Sequence, residues 1–226
     1  MKNFIYTIVI SCLLLCSCNQ DEVYTGLFKS RYFITEYLIP TDISIVVVAN
    51  YILLKATGEV CSTCCAQGHE KAMYFAELYN DTSYNGNIHP GMHSALAYPI
   101  DKITICCDKD FNNQHQAGES LDDIVKLDFK SFYPYIKGGY KKLPNTSETP
   151  PGRHKGEVMH YALNFNSVEA NLTKLMSIGL TNYDTEAGIA EIKFKTTPDI
   201  PGEYTFTLAV DMNGETMTTT FTYTFE

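Results

Sequence analysis

The C-terminal segment constrains the fold most, because it predicts its own strand pairing. Asn213-Gly214 is the favoured two-residue type I′ hairpin turn, since both positions need φ > 0. With that turn, Met212 faces Glu215 and the remaining pairs follow. One face pairs Tyr204–Tyr223, Phe206–Phe221, Leu208–Thr219 and Val210–Met217, and the other pairs Thr205–Thr222, Thr207–Thr220 and Ala209–Thr218. An apolar face opposite a threonine-rich face is what a half-buried antiparallel pair requires.

Other segments indicate further strands and a little helix. The alternation of apolar and polar residues predicts strands at residues 102–107, 160–165 and 188–197. The β-branched run at 43–54 predicts one buried strand. Helical spacing of apolar residues predicts helices at 70–79 and 168–176, the second capped by Ser167. The polar stretch at 138–156, rich in Pro, Gly and Lys, is either a break between subdomains or a long surface loop.

The segment from Ile200 to Phe206, followed by the terminal hairpin, resembles the last two strands of immunoglobulin-like sandwiches. In that family a Tyr stands two residues before a core position. Here Tyr204 precedes Phe206, which replaces the Cys of antibody domains, and the chain has no Trp. We therefore expect a mainly β, immunoglobulin-like β-sandwich with one or two short helices and long loop insertions. It would form a single domain over residues 27–226.

The N-terminus carries an export and anchoring pattern. Lys2 precedes an apolar run at 5–15, which fits a signal peptide and is shorter than the ~20 residues of a membrane span. Leu15-Cys16-Ser17-Cys18 resembles the lipobox of bacterial lipoproteins, which implies lipidation of Cys18. Residues 1–17 would then be the signal peptide and 18–26 the lipidated N-terminus and tether. The alternative is an ordinary signal peptide, with Cys18 unmodified.

The whole mature chain resembles small lipoproteins of Bacteroidetes-type bacteria. The resemblance rests on the lipobox, on Cys-Cys-Asp-Lys-Asp-Phe-Asn at 106–112 with Gly118 after it, and on the Tyr/Thr-rich last hairpin. Asn19-Gln20-Asp21-Glu22 loosely resembles the acidic tetrad that directs such proteins to the outer leaflet, or it is simply a solvated tether. The resemblance implies an outer-membrane lipoprotein, with surface exposure as a further expectation, and it implies no activity. The formal net charge of −9 argues against nucleic acid as a partner.

Cysteines are the first candidate site residues. Beyond the leader and Cys18, the chain contains Cys61, Cys64, Cys65, Cys106 and Cys107. A disulfide from the loop at 61–65 to the strand at 102–107 would close a loop of about 40 residues and stabilise by roughly 3–4 kcal/mol. Buried thiols are the other structural alternative.

Zinc is the sharper alternative for these cysteines, and redox exchange is the least favoured. His69, His89 and His93 could complete a zinc site, although the second half of a CxxC…CxxC framework is missing. Adjacent strand residues point to opposite faces, so we expect Cys107 to face the core with Ile103 and Ile105 and Cys106 to face the other way. The two are therefore not expected to bind one tetrahedral ion. A redox CxxC motif would need a βαβ pattern, which does not surround Cys61.

Two further patterns suggest ligands. Asp108, Asp110, Asn112 and Glu119 match positions one, three, five and twelve of a calcium loop, but Asn113 replaces the required Gly, and an acidic turn is the alternative. Tyr133, Tyr135 and Tyr140 precede a basic loop and could stack on sugar rings. The alternative places these aromatics in the core.

The common enzyme motifs GxSxG, HExxH and a phosphate-binding glycine loop do not occur in the sequence. We therefore expect a non-enzymatic, membrane-anchored binding or assembly module with a protein or glycan partner at the cell envelope. The alternatives are a glycan- or metal-binding accessory lipoprotein and, less favoured, a hydrolase with an unrecognised site.

Overall fold

The computed structural model describes residues 27–49, 51–66, 68–89, 91, 93–144, 156–179 and 186–226. The expected signal peptide, Cys18 and the tether lie outside these residues, as does most of the polar stretch at 138–156. Within the described residues, no helix is long and apolar enough to cross a membrane.

Eleven strands and three short α-helices make up the described chain. The strands are β1 (Phe28–Ser30), β2 (Glu36–Val48), β3 (Tyr51–Ser62), β4 (Gly86–Ile88), β5 (Ser94–Leu96), β6 (Lys102–Cys107), β7 (Val125–Ser131), β8 (Met159–Asn164), β9 (Glu186–Phe194), β10 (Gly202–Met212) and β11 (Glu215–Phe225). The helices are α1 (His69–Leu78), α2 (Tyr133–Lys137) and α3 (Ala170–Thr173).

Nine of these strands form a β-sandwich with immunoglobulin-like strand order, and β1 and β4 pair in a separate two-stranded sheet. A six-stranded sheet has the order β5-β2-β3-β9-β7-β8, and a three-stranded sheet has the order β11-β10-β6. If β2, β3, β6, β7, β9, β10 and β11 are taken as A to G, the sheets contain A-B-E-D and C-F-G, the constant-type arrangement. One hydrophobic cluster, with residues from both sheets, forms the core between them. The expected fold class is confirmed.

The terminal hairpin has the predicted register throughout. Met212 pairs with Glu215 and Tyr204 with Tyr223, and Asn213 and Gly214 both have positive φ. Tyr204 is buried, and its hydroxyl donates a hydrogen bond to the Ile200 carbonyl at 2.7 Å. This bond ties the start of β10 to the chain before it, as the tyrosine corner of immunoglobulin-like domains does.

The prediction of one buried strand at 43–54 was wrong. Val48 pairs with Tyr51, so the run is a hairpin between β2 and β3. Val48 and Tyr51 are 60% and 62% exposed there. Sequence alone did not separate the two strands because residues 43–54 contain no Gly or Pro, the residues that most strongly mark a turn.

The helices agree only in part with the sequence. The predicted helix at 70–79 is α1, but the predicted helix at 168–176 contains only the single turn of α3. Met176 and Ser177 instead form bridges to β7 and β5, so tertiary pairing overrides the helical spacing there. The helix α2, within the aromatic segment, was not predicted.

A second hydrophobic cluster lies at the end of the larger sheet where β2 begins and β3 and β7 end. It is built by the segment before β2 and by the two long insertions of the sandwich, at 63–101 and after β7. Phe33, Tyr37, Phe75, Phe132 and Leu175 are among its fully or almost fully buried members. The insertions therefore form a packed cap on the sandwich, and α1 is the longest helix of that cap.

Candidate functional site

The surface of α1 carries two adjoining concave regions. The first, which we call the thiol depression, is lined by residues 63–66 and 68–71 and has a volume of about 750 Å³. The second, which we call the aromatic groove, has a volume of about 420 Å³ and is lined by Ile39, Glu59, Glu70, Lys71, Tyr74, Phe75 and Tyr98. Glu70 and Lys71 belong to both regions, so the two regions form one continuous candidate surface.

The loop between β3 and α1 is fixed to the strands below it. The Thr63 hydroxyl donates to the Ile34 carbonyl at 3.1 Å, and the Thr63 amide donates to the Thr35 carbonyl at 3.0 Å. Gly68 then turns the chain into α1 with φ +62°. A Cβ atom at Gly68 would lie 2.6 Å from the Cβ of Cys61, so only glycine permits this approach of α1 to β3.

Cys64 and Cys65 both line the thiol depression, and the neighbouring Cys65 thiol disfavours ionisation of Cys64. The Ser62 hydroxyl lies 3.2 Å from the Cys64 sulfur. Burial raises the pKa of the Cys64 thiol to about 11, so this thiol is protonated at neutral pH. A protonated thiol is a poor nucleophile, which argues against redox exchange at this loop.

Cys61 is a buried structural thiol. It is fully buried in the second hydrophobic cluster, and its thiol donates to the Tyr37 carbonyl at 3.6 Å. Burial raises the pKa of Cys61 to about 11. Cys107 is likewise buried, in the sandwich core, as expected from its position on β6, and Cys106 faces the other way and is half-buried. Cys61 and Cys107 therefore match the buried-thiol alternative.

The disulfide and zinc expectations are not met among the described residues. None of the five cysteines forms a disulfide there, and no three His, Cys, Asp or Glu side chains are placed to hold a metal ion. The physical reason is separation: Cys107 packs in the sandwich core, whereas Cys61 belongs to the cap cluster.

The three candidate histidines are also dispersed. His69 lines the thiol depression, His89 is exposed after β4, and His93 is buried. The ring of His93 stacks on Phe33 at 3.8 Å, and its Nε2 lies 3.6 Å from a carboxylate oxygen of Glu157. This imidazole is part of the cap core.

The calcium expectation finds no support among the described residues, where the candidate ligands after β6 accept hydrogen bonds from backbone amides. Asp108 accepts from the Thr205 amide, Asp110 from the Ala117 amide and Glu119 from the Gln116 amide. Asn112 Oδ1 accepts from two amides of the same loop and contacts Nδ1 of His115 at 2.9 Å. These oxygens cap backbone N–H groups, as the acidic-turn alternative supposed.

The predicted stacking aromatics are mostly part of the cap. Tyr135 is 5% exposed, and the Tyr140 hydroxyl donates to the buried Asp81 at 2.9 Å. Tyr133 is half-buried, with Lys137 and Lys174 ammonium groups 5.9 and 5.2 Å from its ring. The core alternative therefore holds for Tyr135. Tyr133 and Tyr140 are partly buried against the cap cluster, and two lysine ammonium groups lie near the ring of Tyr133.

The aromatic groove instead exposes residues that the sequence did not single out. Tyr74 is 59% exposed on α1, and Tyr98 is half-buried after β5. Phe75 lies between them as a buried floor, in edge-to-face contact with both rings at 5.3 Å. Lys71 Nζ contacts the two Glu59 carboxylate oxygens at 2.8 and 2.6 Å beside this floor. The apolar residues Tyr74 and Leu78, one helical turn apart on the face opposite the core, are the sequence signal that could have revealed this surface.

Buried acids hold the cap beneath this surface. Asp81 is fully buried and accepts from the Phe33 and Ile34 amides as well as from Tyr140. Glu36, 5% exposed, accepts from the Ser94 hydroxyl at 2.8 Å. Burial raises the pKa of both carboxyl groups, although their hydrogen bonds oppose that shift. These groups fix the segment before β2 against the insertions.

The chain matches no protein-family model, no curated protein and no solved structure. The function proposed below is therefore inferred from the residues of the site.

Proposed function

We propose that this protein is a lipid-anchored lipoprotein of the cell envelope, whose sandwich domain binds a ligand and does not catalyse a reaction. The anchoring part of the proposal rests on the sequence, in which Lys2, the apolar run and the Leu15–Cys18 lipobox stand in the expected order. Several buried acyl chains would retain the protein in a membrane, since each buried CH₂ contributes about 0.8 kcal/mol. The outer membrane is the membrane that the resemblance to Bacteroidetes-type lipoproteins implies.

The binding part of the proposal rests on the aromatic groove, and above all on the exposed ring of Tyr74. A large aromatic side chain that is 59% exposed leaves most of its apolar surface in water, where a partner can cover it. The groove volume of about 420 Å³ is within the ~300–1,000 Å³ of small-molecule sites. Ligand binding is therefore the function that this surface supports best.

A carbohydrate is the ligand class that fits the groove chemistry. A pyranose ring has an apolar C–H face, which can lie on the ring of Tyr74 or Tyr98, and a rim of hydroxyl groups. The Glu59 and Glu70 carboxylates can accept hydrogen bonds from those hydroxyls, and Lys71 can donate to them. The Glu59–Lys71 pair is already formed, so these polar groups need little reorganisation on binding.

The anchor is tested by fractionation of cells that express the wild type or Cys18→Ala. The wild type should be in the membrane fraction with a lipid-modified N-terminus by mass spectrometry, and the variant should be released. Recovery of the variant in the membrane fraction, together with an unmodified native N-terminus, would overturn the anchoring proposal. Protease treatment of intact cells then separates surface display from an inner-leaflet location.

The groove is tested on an array of immobilised oligosaccharides. We expect binding to at least one glycan class, with Tyr74→Ala weakening it tenfold or more, which corresponds to about 1.4 kcal/mol. Tyr51→Ala is the matched control, because Tyr51 is 62% exposed on the β2–β3 hairpin, away from α1. Equal losses in the two variants, or no glycan binding at all, would refute the carbohydrate proposal.

A further inference from the structure

The chain contains two Cys-Cys pairs, and the backbone treats them differently. Cys106 and Cys107 are consecutive residues of β6, whose side chains alternate between the two faces of the sheet. Cys107 packs in the sandwich core and donates its thiol hydrogen to the Lys109 carbonyl at 3.0 Å, whereas Cys106 lies on the other face. The two sulfurs of this pair therefore cannot bind one ion.

Cys64 and Cys65 lie in a series of bends after β3, where the strand alternation no longer applies. Both line the thiol depression, and the Cys65 thiol is close enough to disfavour ionisation of Cys64. Two consecutive, half-buried cysteines thus line one cavity of about 750 Å³. This geometry allows both sulfurs to bind the same ion.

We propose that Cys64 and Cys65 together chelate one Cu(I) ion at the thiol depression. The number and softness of the ligands decide the metal. Thiolates select soft ions such as Cu(I), and Cu(I) is satisfied by two of them, whereas structural zinc takes four ligands. The described residues contain no group of three ligating side chains, so a tetrahedral ion would lack partners here.

Binding is a proton exchange without electron transfer. Each thiol releases its proton to solvent, two S–Cu bonds form, and the site changes from two neutral thiols to a bis-thiolate complex of charge −1. Lys71 lines the same depression and can offset part of this charge, as can the N-terminus of α1. Glu36 and Glu70 act in the opposite sense, since Glu36 disfavours ionisation of Cys64 and Glu70 lines the depression.

The test is anaerobic titration of the mature chain (residues 18–226) with Cu(I), using bathocuproine disulfonate as the competing chelator. All proteins in the test carry Cys18→Ala, so that the five domain cysteines are the thiols present. We expect one Cu(I) per chain, and X-ray absorption should show two sulfur ligands. Cys64→Ser and Cys65→Ser should each weaken binding more than about 100-fold, because removal of supporting groups alone costs 10- to 100-fold.

Cys106→Ser is the matched control, because it removes one sulfur from the pair that the strand separates. It should bind Cu(I) as the starting protein does, and circular dichroism should show that every variant is folded. A trivalent arsenical, phenylarsine oxide, gives a second measurement: it needs two adjacent thiols and should modify one site per chain, lost in Cys64→Ser and kept in Cys106→Ser. Absence of stoichiometric Cu(I) binding, or equal binding by Cys64→Ser and Cys106→Ser, would overturn the proposal.

The copper proposal is independent of ligand binding in the aromatic groove. Tyr74→Ala changes the groove and leaves both sulfurs in place, so it should retain Cu(I) while losing the carbohydrate. The two proposals can therefore fail separately.

Discussion

Substitution of Gly68 by Ala tests the contact that places α1, and with it the candidate surface, over β3. Gly68 has φ +62°, a conformation that costs an L-residue about 1–2 kcal/mol. The added methyl would also lie 2.6 Å from the Cβ of Cys61 and 3.0 Å from its Cα. Cys61 is fully buried on β3 and paired with Tyr37, so it has little room to move.

Overpacking of this kind costs roughly 1–3 kcal/mol. The clash and the strained backbone together should therefore lower the free energy of unfolding by about 2–5 kcal/mol. Gly118→Ala separates the two effects, because Gly118 has φ +81° and no described atom lies within 4 Å of an added Cβ. It should lose only the backbone component, about 1–2 kcal/mol.

Urea unfolding of the two variants and the wild type, followed by circular dichroism, measures this difference. The slope against denaturant should be unchanged if both variants unfold from the same compact state. We expect Gly68→Ala to be less stable than Gly118→Ala by about 1–3 kcal/mol. Equal losses at the two positions would show that α1 does not approach β3 as closely as described, and the arrangement of the thiol depression would have to be revised.

Three other substitutions test the buried polar contacts. Burial raises the pKa of Glu36 in the folded state, so wild-type stability should fall as pH rises from the pKa of the unfolded chain through that of the fold. Glu36→Gln stays neutral and can still accept a hydrogen bond from Ser94. In paired thermal melts, the stability of this variant relative to wild type should therefore increase between pH 4 and pH 7. A difference that stays constant with pH would contradict this. Tyr204→Phe removes the hydrogen bond to the Ile200 carbonyl and should cost about 0.5–1.5 kcal/mol in urea unfolding, with no loss pointing to a corner that is not formed. Asp81→Ala leaves two buried backbone N–H groups without their acceptor, at about 1–3 kcal/mol each, so a loss below 1 kcal/mol in the same assay would count against the described contacts.

The parts of the fold that sequence predicted are those specified by local geometry. The Asn213-Gly214 turn fixes the register of β10 and β11, because one register alone gives each face a uniform character. The placement of Cys107 in the core followed from alternation along β6 for the same reason. Neither inference needed information about distant residues.

The parts that sequence did not predict depend on contacts between distant segments. Tyr135 is buried and Tyr140 partly buried because the insertion after β7 packs on Phe33, from the segment before β2. The exposure of Tyr74 likewise follows from which face of α1 the cap covers. Apolar residue type alone does not distinguish a core aromatic from a ligand-binding one, since both occur in similar local sequence.

The division of the core explains why the candidate surface lies on the cap. The sandwich closes its own hydrophobic cluster between two sheets, and the cap closes a separate one above the end of the larger sheet. A cap with its own core can present exposed aromatics and thiols without weakening the packing between the sheets, while β2 and β3 hold its base in place. The two Cys-Cys pairs follow this division: the pair on β6 contributes Cys107 to the sandwich core, whereas both cysteines of the pair in the cap line the thiol depression. The same dipeptide is therefore structural in one part of the molecule and available for ligand chemistry in the other.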